Sequence, residues 1–337
     1  MKIIELFSGI GGFTKGFEDA GYTIEEHYFS EIDKHAIANY KYNYPNAKYI
    51  GSVTDIRPGD FRGIDIITFG SPCQDFSFAG KRKGLEGERS SLIEYAIRMV
   101  TDIRPSVFIW ENVKGAFSSN SGADFWAILQ AFANIGGYRL EWQLLNTKWF
   151  LPQNRERIYL VGHLATSERG FGNVFPIGEN DFETRRGREG KGVAQTLDCS
   201  CNQAVIGAFR GRNPENPKSR ESGLPTEQML EINKEGVSNT LTSGHKDNVV
   251  LQIRDGRDNR SCLRSGRVSE LGYKDNSIRR LTEIECERLQ GFPDNFTEYG
   301  NYDGVIKKIP KTQRYKMLGN AVTVKVVEEI AKRLNLE

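Results

Sequence analysis

From Ile3 to Gly162, short apolar runs alternate with stretches whose apolar residues recur at helical spacing, and few folds satisfy that alternation. Ile3 to Phe7 predicts a strand, followed by glycines and a helix from Phe13 to Ala20; Tyr22 to Phe29 predicts a second strand and His35 to Tyr42 a second helix. Ile64 to Phe69, IDIITF, has the continuous apolar character of a buried strand and is closed by Gly70. Leu92 to Val100 is helical by spacing, Val107 to Trp110 a strand, Phe125 to Ile135 a helix and Arg157 to Gly162 a strand. Such a chain predicts an α/β fold, a largely parallel sheet with helices on both faces. At 337 residues there is enough chain for a second, smaller domain.

After about His163 the rhythm stops. As far as about Ser277 the chain is rich in Gly, Asn, Asp, Ser and Arg, with no helical period, yet AVIGAF and NVVLQI within it predict strands of a small, irregular β-rich domain. An internal echo runs through this stretch: GVAQTLDCSCNQAVI from Gly192 and GVSNTLTSGHKDNVV from Gly236 share Gly-Val, then Thr-Leu, then Val at matching offsets. Chance similarity in a biased segment or two related loop-strand modules both account for it. Leu281 to Leu289 and Thr323 to Leu334 return to helical spacing.

Composition narrows the classes. A net charge of +2 announces no polyanion partner, so any nucleic-acid surface has to come from local clustering of Lys and Arg. The five cysteines, Cys73, Cys199, Cys201, Cys262 and Cys286, include no CxxC pair, which argues against a disulfide scaffold and for a reducing, cytoplasmic setting. Cys199 and Cys201 have no His nearby, and no metal site is expected. The opening MKIIELFSG is too short an apolar run for a signal sequence or a membrane span.

Four segments carry chemistry. FSGIGG, between the first strand and the first helix, places glycines where backbone can pack against a ligand, although Gly9-x-Gly11-Gly12 departs from the GxGxxG spacing of dinucleotide folds. Glu31, ending the second strand, stands where an acidic residue takes a ribose diol; together these point to an adenosine-containing cofactor. Pro72-Cys73-Gln74 follows the buried strand, which puts Cys73 at the carboxyl edge of the sheet, where open α/β folds bind ligands. Glu111-Asn112-Val113 ends a further strand at that edge, and Gln153-Asn154-Arg155-Glu156-Arg157 leads into another.

The ordered set FSGIGG, PCQ, ENV, QNRERIYLVG, RRLTEIECERLQGFPDNF and YKMLGNAV resembles the motif series of the bacterial and phage-type cytosine-C5 DNA methyltransferases, and spans the chain except for about 164 to 277. The resemblance implies a Rossmann-like, S-adenosylmethionine-dependent catalytic domain over 1–163, completed by about 312–337, and a target-recognition domain over 164–311. It implies that Cys73 attacks C6 of a flipped-out cytosine. A soft nucleophile suits that step, because a thiol is already a few per cent thiolate near neutral pH. Glu111 would protonate or hydrogen-bond N3, Arg157 would hold O2, and Arg155 would meet a phosphate. For the cofactor, the resemblance points to Phe7 near the sulfonium, and to Ser8, Gly9, Ile10, Gly11 and Gly12 near the methionine moiety. It points to Glu31 on the ribose and Ile32 on the adenine face, with Val53, Pro72, Leu92, Asn320 and Ala321 lining the rest. Ser52 stands where the family often has an adenine-binding Asp, so either Ser52 or Asp55 fills that place.

Double-stranded DNA is the implied partner, with a cognate restriction endonuclease as a further one and a monomer as the expected state. Lys81, Arg82, Lys83 and Arg89, among Gly80, Gly84 and Gly87, suit a loop closing on phosphates. Thr196-Leu197 and Thr240-Leu241 both resemble the Thr-Leu element of recognition domains, and the sequence leaves the choice between them open. Arg280, Glu283, Arg288 and Gln290 are expected to buttress this domain. Three other readings compete. An RNA cytosine-C5 methyltransferase shares the architecture, but the long variable segment favours duplex DNA. A silent DNA-binding relative is opposed by the intact Cys73, Glu111, Arg155 and Arg157. A nicotinamide oxidoreductase lacks an acid-base His beside the glycine turn.

Overall fold

The computed structural model describes residues 1–71, 92–117, 123–165, 173–178, 204–213, 227–232, 237–241, 248–252, 278–334 and 336. Cys73, Pro72, Lys81, Arg82, Lys83, Arg89 and Thr196 lie outside them. The first half forms β1 (Lys2–Leu6), α1 (Gly12–Asp19), β2 (Glu26–Ser30), α2 (Lys34–Asn43), β3 (Lys48–Tyr49), β4 (Ile66–Gly70), α3 (Leu92–Ile103), β5 (Val107–Val113), α4 (Ala123–Asn134), β6 (Tyr138–Asn146), β7 (Gln153–Asn154) and β8 (Glu156–Leu164). Seven strands make one sheet in the order β3-β2-β1-β4-β5-β8-β6. β1, β2, β3, β4 and β5 run parallel; β8 pairs antiparallel with both β5 and β6. The expected α/β rhythm is present. The edge strand β6 went unread because YRLEWQLLN interleaves charge with apolar residues, as suits a strand half open to water.

Alternation along the strands sorts side chains between two cores. Ile3, Ile66, Val107 and Val161 point to one face, where Phe13 and Phe17 of α1 cover them. Ile4, Leu6, Ile67, Phe69, Phe108 and Trp110 point to the other, beneath Met99 and Val100 of α3 and Ile128 and Phe132 of α4.

The Gly- and Arg-rich stretch contributes β9 (Ala204–Arg212), β10 (Glu227–Ile232), β11 (Ser238–Asn239) and β12 (Asn248–Gln252), and β13 (Ile278–Arg280) follows. β10-β9-β12-β13 form an antiparallel sheet, the β-rich unit that AVIGAF and NVVLQI predict. The two echoed segments lead into β9 and β12, each strand starting at the same distance behind its Gly-Val, and these strands pair with each other.

The chain ends with α5 (Glu283–Gln290), β14 (Tyr299–Tyr302), β15 (Val305–Lys308), α6 (Lys311–Asn320) and α7 (Val324–Ala331). α5 starts at a capping box, Thr282 and Glu285 satisfying each other's backbone N–H, and stops at Gly291 with φ +85°. Val326, Val327 and Ile330 of α7 join the core beside α1. Leu281, Cys286, Leu289, Phe292, Phe296 and Ile309 share a third core with Ile10, Phe29, Tyr40 and Tyr44, and with Met317 and Leu318. That core spans both sides of position 311, the expected end of the recognition domain. No helix among the described residues is long and apolar enough to cross a membrane.

Candidate active site

The carboxyl ends of β1, β2, β4 and β5 open into one cavity of about 570 Å³, closed from the opposite side by the last turn of α6. Size and place match a small-molecule site at the edge of an open α/β sheet. Phe7, at the turn after β1, has φ +52°, a left-handed conformation that a bulky side chain rarely takes; it lines the cavity with Gly9.

Across from them stands Glu31. Its carboxylate accepts the N–H groups of Gly9 at 2.8 Å, Ile32 at 2.7 Å and Asp33 at 2.9 Å, so three backbone donors hold it in place. Ile32 beside it is 78% exposed, an apolar surface offered at the cavity rather than to the core. Tyr49 of β3, which sequence reading passed over, donates to the Glu31 carbonyl at 3.0 Å and steadies this turn. Ser52 and Val53 also line the cavity, whereas exposed Asp55 is not part of the lining and accepts from Thr54 Oγ1 at 3.1 Å. Leu92 and Asn320 complete the expected residues found on its walls.

Other expected contacts turn inward. Ile10 and Ala321 are buried in the third core. At Gly11, φ is +84° and a Cβ would come within 2.6 Å of the Tyr44 ring; at Gly12 it would meet Val322 Cγ2 at 2.6 Å. These two glycines are needed for α1 to pack against α2 and the residues before α7, and Gly9 alone of the three lines the cavity. Ser8 is buried, its N–H on the Ser30 carbonyl and its hydroxyl without a partner among the described residues.

The reactive end of the cavity is built by register. Gly70 of β4 lies beside Glu111 of β5, and a Cβ at position 70 would sit 3.1 Å from Glu111 Oε2, so glycine there leaves the carboxylate its room. On the far side β8 sets Tyr159 opposite Glu111, and Arg157, two residues away, projects from the same face. Arg157 Nε lies 3.1 Å from Glu111 Oε1, an ion pair with both side chains mostly buried, although Oε1 has no aligned hydrogen bond. Arg157 also donates to the Glu156 carbonyl at 2.8 Å. Ser71, the last described residue before Pro72 and Cys73, is anchored next to this pair. Its hydroxyl accepts from Trp110 Nε1 at 3.0 Å and from Asn112 Nδ2 at 3.2 Å.

Arg155, expected to meet a phosphate, is held by backbone carbonyls. Its guanidinium is 3% exposed and donates to three carbonyls: Ala321 at 2.8 Å, Gly319 at 3.2 Å and Leu241 at 3.3 Å. Burial, and then the charge of Arg157, lowers its pKa to about 10. Held this way it ties backbone segments together while also lining the cavity.

Of the two Thr-Leu elements, Thr240-Leu241 is the one among the described residues, and it lies against β7. β11 pairs with β7, Thr240 Oγ1 donates to the Asn154 carbonyl at 2.8 Å, and the Leu241 N–H meets Gln153 Oε1 at 3.1 Å. Gln290 donates to the Leu318 carbonyl at 2.6 Å, Arg288 forks onto Asp294 at 2.7 and 2.6 Å, and Glu283 pairs with Lys311 at 3.4 Å. These three brace the 281–320 segment; Arg280, in β13, is exposed.

Comparison with known proteins bears on this geometry. The family model described as C-5 cytosine-specific DNA methylase matches residues 1–335. Type II methyltransferase M.HaeII of Haemophilus aegyptius is 32% identical over 331 residues, covering 98% of this chain and 91% of that protein. Type II methyltransferase M.Bsp6I of Bacillus sp. (strain RFL6) is 30% identical over 348 residues, covering 99% and 98%. The crystal structure of S. pombe Dnmt2 methyltransferase superposes with a TM-score of 0.62 at 19% identity, over 98% of this chain and 96% of that one, which is a likeness of fold.

Proposed function

The chain belongs to the C-5 cytosine-specific DNA methylase family, and from that premise we propose that it methylates cytosine in duplex DNA through Cys73, Glu111 and Arg157, with S-adenosylmethionine as methyl donor. The observation that carries the residue assignment is the Glu111–Arg157 pair at 3.1 Å at the cavity's inner end, next to Ser71, from which only Pro72 separates Cys73.

The ring chemistry needs those groups together. Carbon 5 of cytosine is a poor nucleophile until a thiolate adds to C6. The bond from Cys73 sulfur to C6 breaks the aromaticity, density moves toward N3 and O2, and C5 becomes enamine-like. Glu111 gives a proton or hydrogen bond at N3, and Arg157 holds O2 and the charge that gathers there. S-adenosylmethionine, when bound, supplies an electrophilic methyl group. Once C5 is alkylated, loss of its proton to a base and departure of the Cys73 thiolate restore the ring.

The cavity suits that cofactor. A carboxylate fixed by three N–H groups matches a ribose diol, and the exposed Ile32 face matches adenine, with Ser52 rather than Asp55 beside it. Phe7, Gly9, Val53, Leu92 and Asn320 would enclose the remainder, with Pro72 next to the nucleophile. A cytosine in a duplex cannot enter this cavity unless it swings out, which costs a few kcal/mol. Lys81, Arg82, Lys83 and Arg89 are proposed to hold the phosphates around it.

The recognition segment is taken as about 164–280, since residues from 281 onward share a core with Ile10, Phe29 of β2 and Tyr40 of α2. Thr240 is the favoured Thr-Leu threonine, on the strength of its bond to Asn154, and Thr196 is left with a secondary part. Since its relatives include type II methyltransferases, the same proposal extends to a restriction-modification setting with a partner endonuclease, and to a monomeric enzyme in the cytoplasm.

The test is trapping. On duplex DNA carrying 5-fluorocytosine at the target, C5 has no proton to lose, so a denaturant-resistant adduct should accumulate with the parent chain and not with Cys73→Ala. An adduct that persists in the variant would overturn the assignment. Transfer of labelled methyl to tRNA, but not to DNA, would overturn the choice of substrate.

A further inference from the structure

Glu111 and Arg157 have roles in the chemistry, but the carboxamides buried beside them do not. Gln153 is 0% exposed. Its Oε1 accepts the Leu241 N–H at 3.1 Å, and its Nε2 donates to the Leu289 carbonyl at 2.9 Å. Two residues along, Arg155 donates to the carbonyl of the same Leu241. The backbone of Leu241 is therefore gripped at both its N–H and its C=O by side chains of the segment that leads into Arg157.

The grip extends to the cofactor side. Arg155 also holds the carbonyls of Gly319 and Ala321, flanking Asn320, which lines the cavity. Gln290, likewise 0% exposed, donates to the Leu318 carbonyl at 2.6 Å and accepts from Thr323 Oγ1 at 3.1 Å. Four distant stretches, 153–155, 238–241, 289–290 and 318–323, thus meet in one buried polar network. A buried amide with an unmet arm is strongly unfavourable, so such a network forms as a unit or not at all.

We propose that Gln153 is a positioning residue: from β7 it registers the 238–241 recognition segment just ahead of β8, the strand that carries Arg157, and so sets the working geometry of Arg157. It touches neither cytosine nor cofactor. The inference rests on the reading of Arg157 and Glu111 as the groups that hold the flipped base.

The test uses the full chain, labelled S-adenosylmethionine and genomic DNA made unmethylated by amplification. Gln153→Met keeps the volume and removes both hydrogen bonds. Its kcat should fall by about tenfold or more, with KM for DNA and the cofactor dissociation constant, titrated without DNA, each within about threefold of the parent. A kcat within about twofold of the parent overturns the proposal, and so does loss of cofactor binding in step with kcat, the mark of a merely structural residue. Should Gln153→Met fail to fold, Gln153→Glu decides. A protonated Glu presents an acceptor and a donor as the amide does, so its kcat relative to the parent should recover as the pH is lowered from about 8 to about 6. A ratio that stays flat overturns the proposal. A parent chain that transfers no methyl to this DNA sinks the methyltransferase reading itself; an active parent with an equally active Gln153→Met sinks only the positioning role.

Discussion

Glu5 lies in the middle of β1 with 1% of its surface exposed, accepting the Thr14 N–H at 3.2 Å, the Thr14 hydroxyl at 2.6 Å and the Tyr40 hydroxyl at 2.9 Å. Burial outweighs those bonds and pushes its carboxyl up from 4.5 to about 7. His27 shares the Tyr40 hydroxyl at 2.7 Å, and burial pushes it down from 6.5 to about 4. The signs oppose. For Glu5 the folded state holds its proton more tightly, so the stability it contributes is complete below about 4.5 and is lost as the pH rises through about 7. For His27 the unfolded state holds the proton more tightly, so stability is lost as the pH falls from 6.5 to about 4. Glu5→Gln should therefore gain on the parent between about pH 4.5 and 7, by on the order of 3 kcal/mol, and then level off. Urea midpoints across that range check this; a difference that does not change with pH would refute it. Nothing in IIELF marks Glu5 as buried, because its neighbours Thr14, His27 and Tyr40 come from three other stretches of chain.

At the scale of elements, β4 and β5 show how little a strand's own sequence says about its neighbour. IDIITFG and VFIWENV are each readable as buried strands, and the glycine ending the first looks like a simple stop. The pairing of Gly70 with Glu111 gives that glycine a further task, to leave space for the carboxylate. Gly70→Ala puts a methyl 3.1 Å from Oε2 while alanine otherwise suits the strand. Methylation should slow by about tenfold, as expected when a catalytic group is shifted by a fraction of an ångström, with the melting temperature nearly unmoved. Unchanged turnover would show that the Glu111 position tolerates the shift. β1, α1, β8 and α7 were legible from period and turn residues. β6 was hidden by its mixed character, and α6, whose residues read first as the motif YKMLGNAV, shows weak amphipathic patterning in KTQRYKMLGN, with Lys316 in its middle on Asp33 and the Gly319 carbonyl near its end on Arg155.

Across the molecule, the segment after the β10-β9-β12-β13 sheet returns to pack with β2 and α2, and Glu287 anchors it. This carboxylate is 0% exposed and accepts from Asn295 N at 2.7 Å, Thr297 N at 2.8 Å, the Thr297 hydroxyl and Arg314 at 2.9 Å. Glu287→Ala leaves Arg314 charged and buried without its partner, which should destabilise the fold by about 3–5 kcal/mol. A thermal midpoint within a few degrees of the parent would contradict that.

By itself the sequence determined the α/β class, through a period that switches between strand and helix, and it determined the family, through six motifs in order. Glu31, Glu111 and Arg157, singled out in the sequence by residue type at strand ends, do come together on the walls of one cavity, while Cys73 lies outside the described residues. Only the tertiary structure decided that Arg155 clamps carbonyls, that Gly11 and Gly12 serve helix packing, that Thr240-Leu241 meets β7, and that Leu281 to Ile309 belong with β2 and α2. Each of those is set by what a side chain faces after the chain has closed on itself, and a one-dimensional pattern holds no record of that partner.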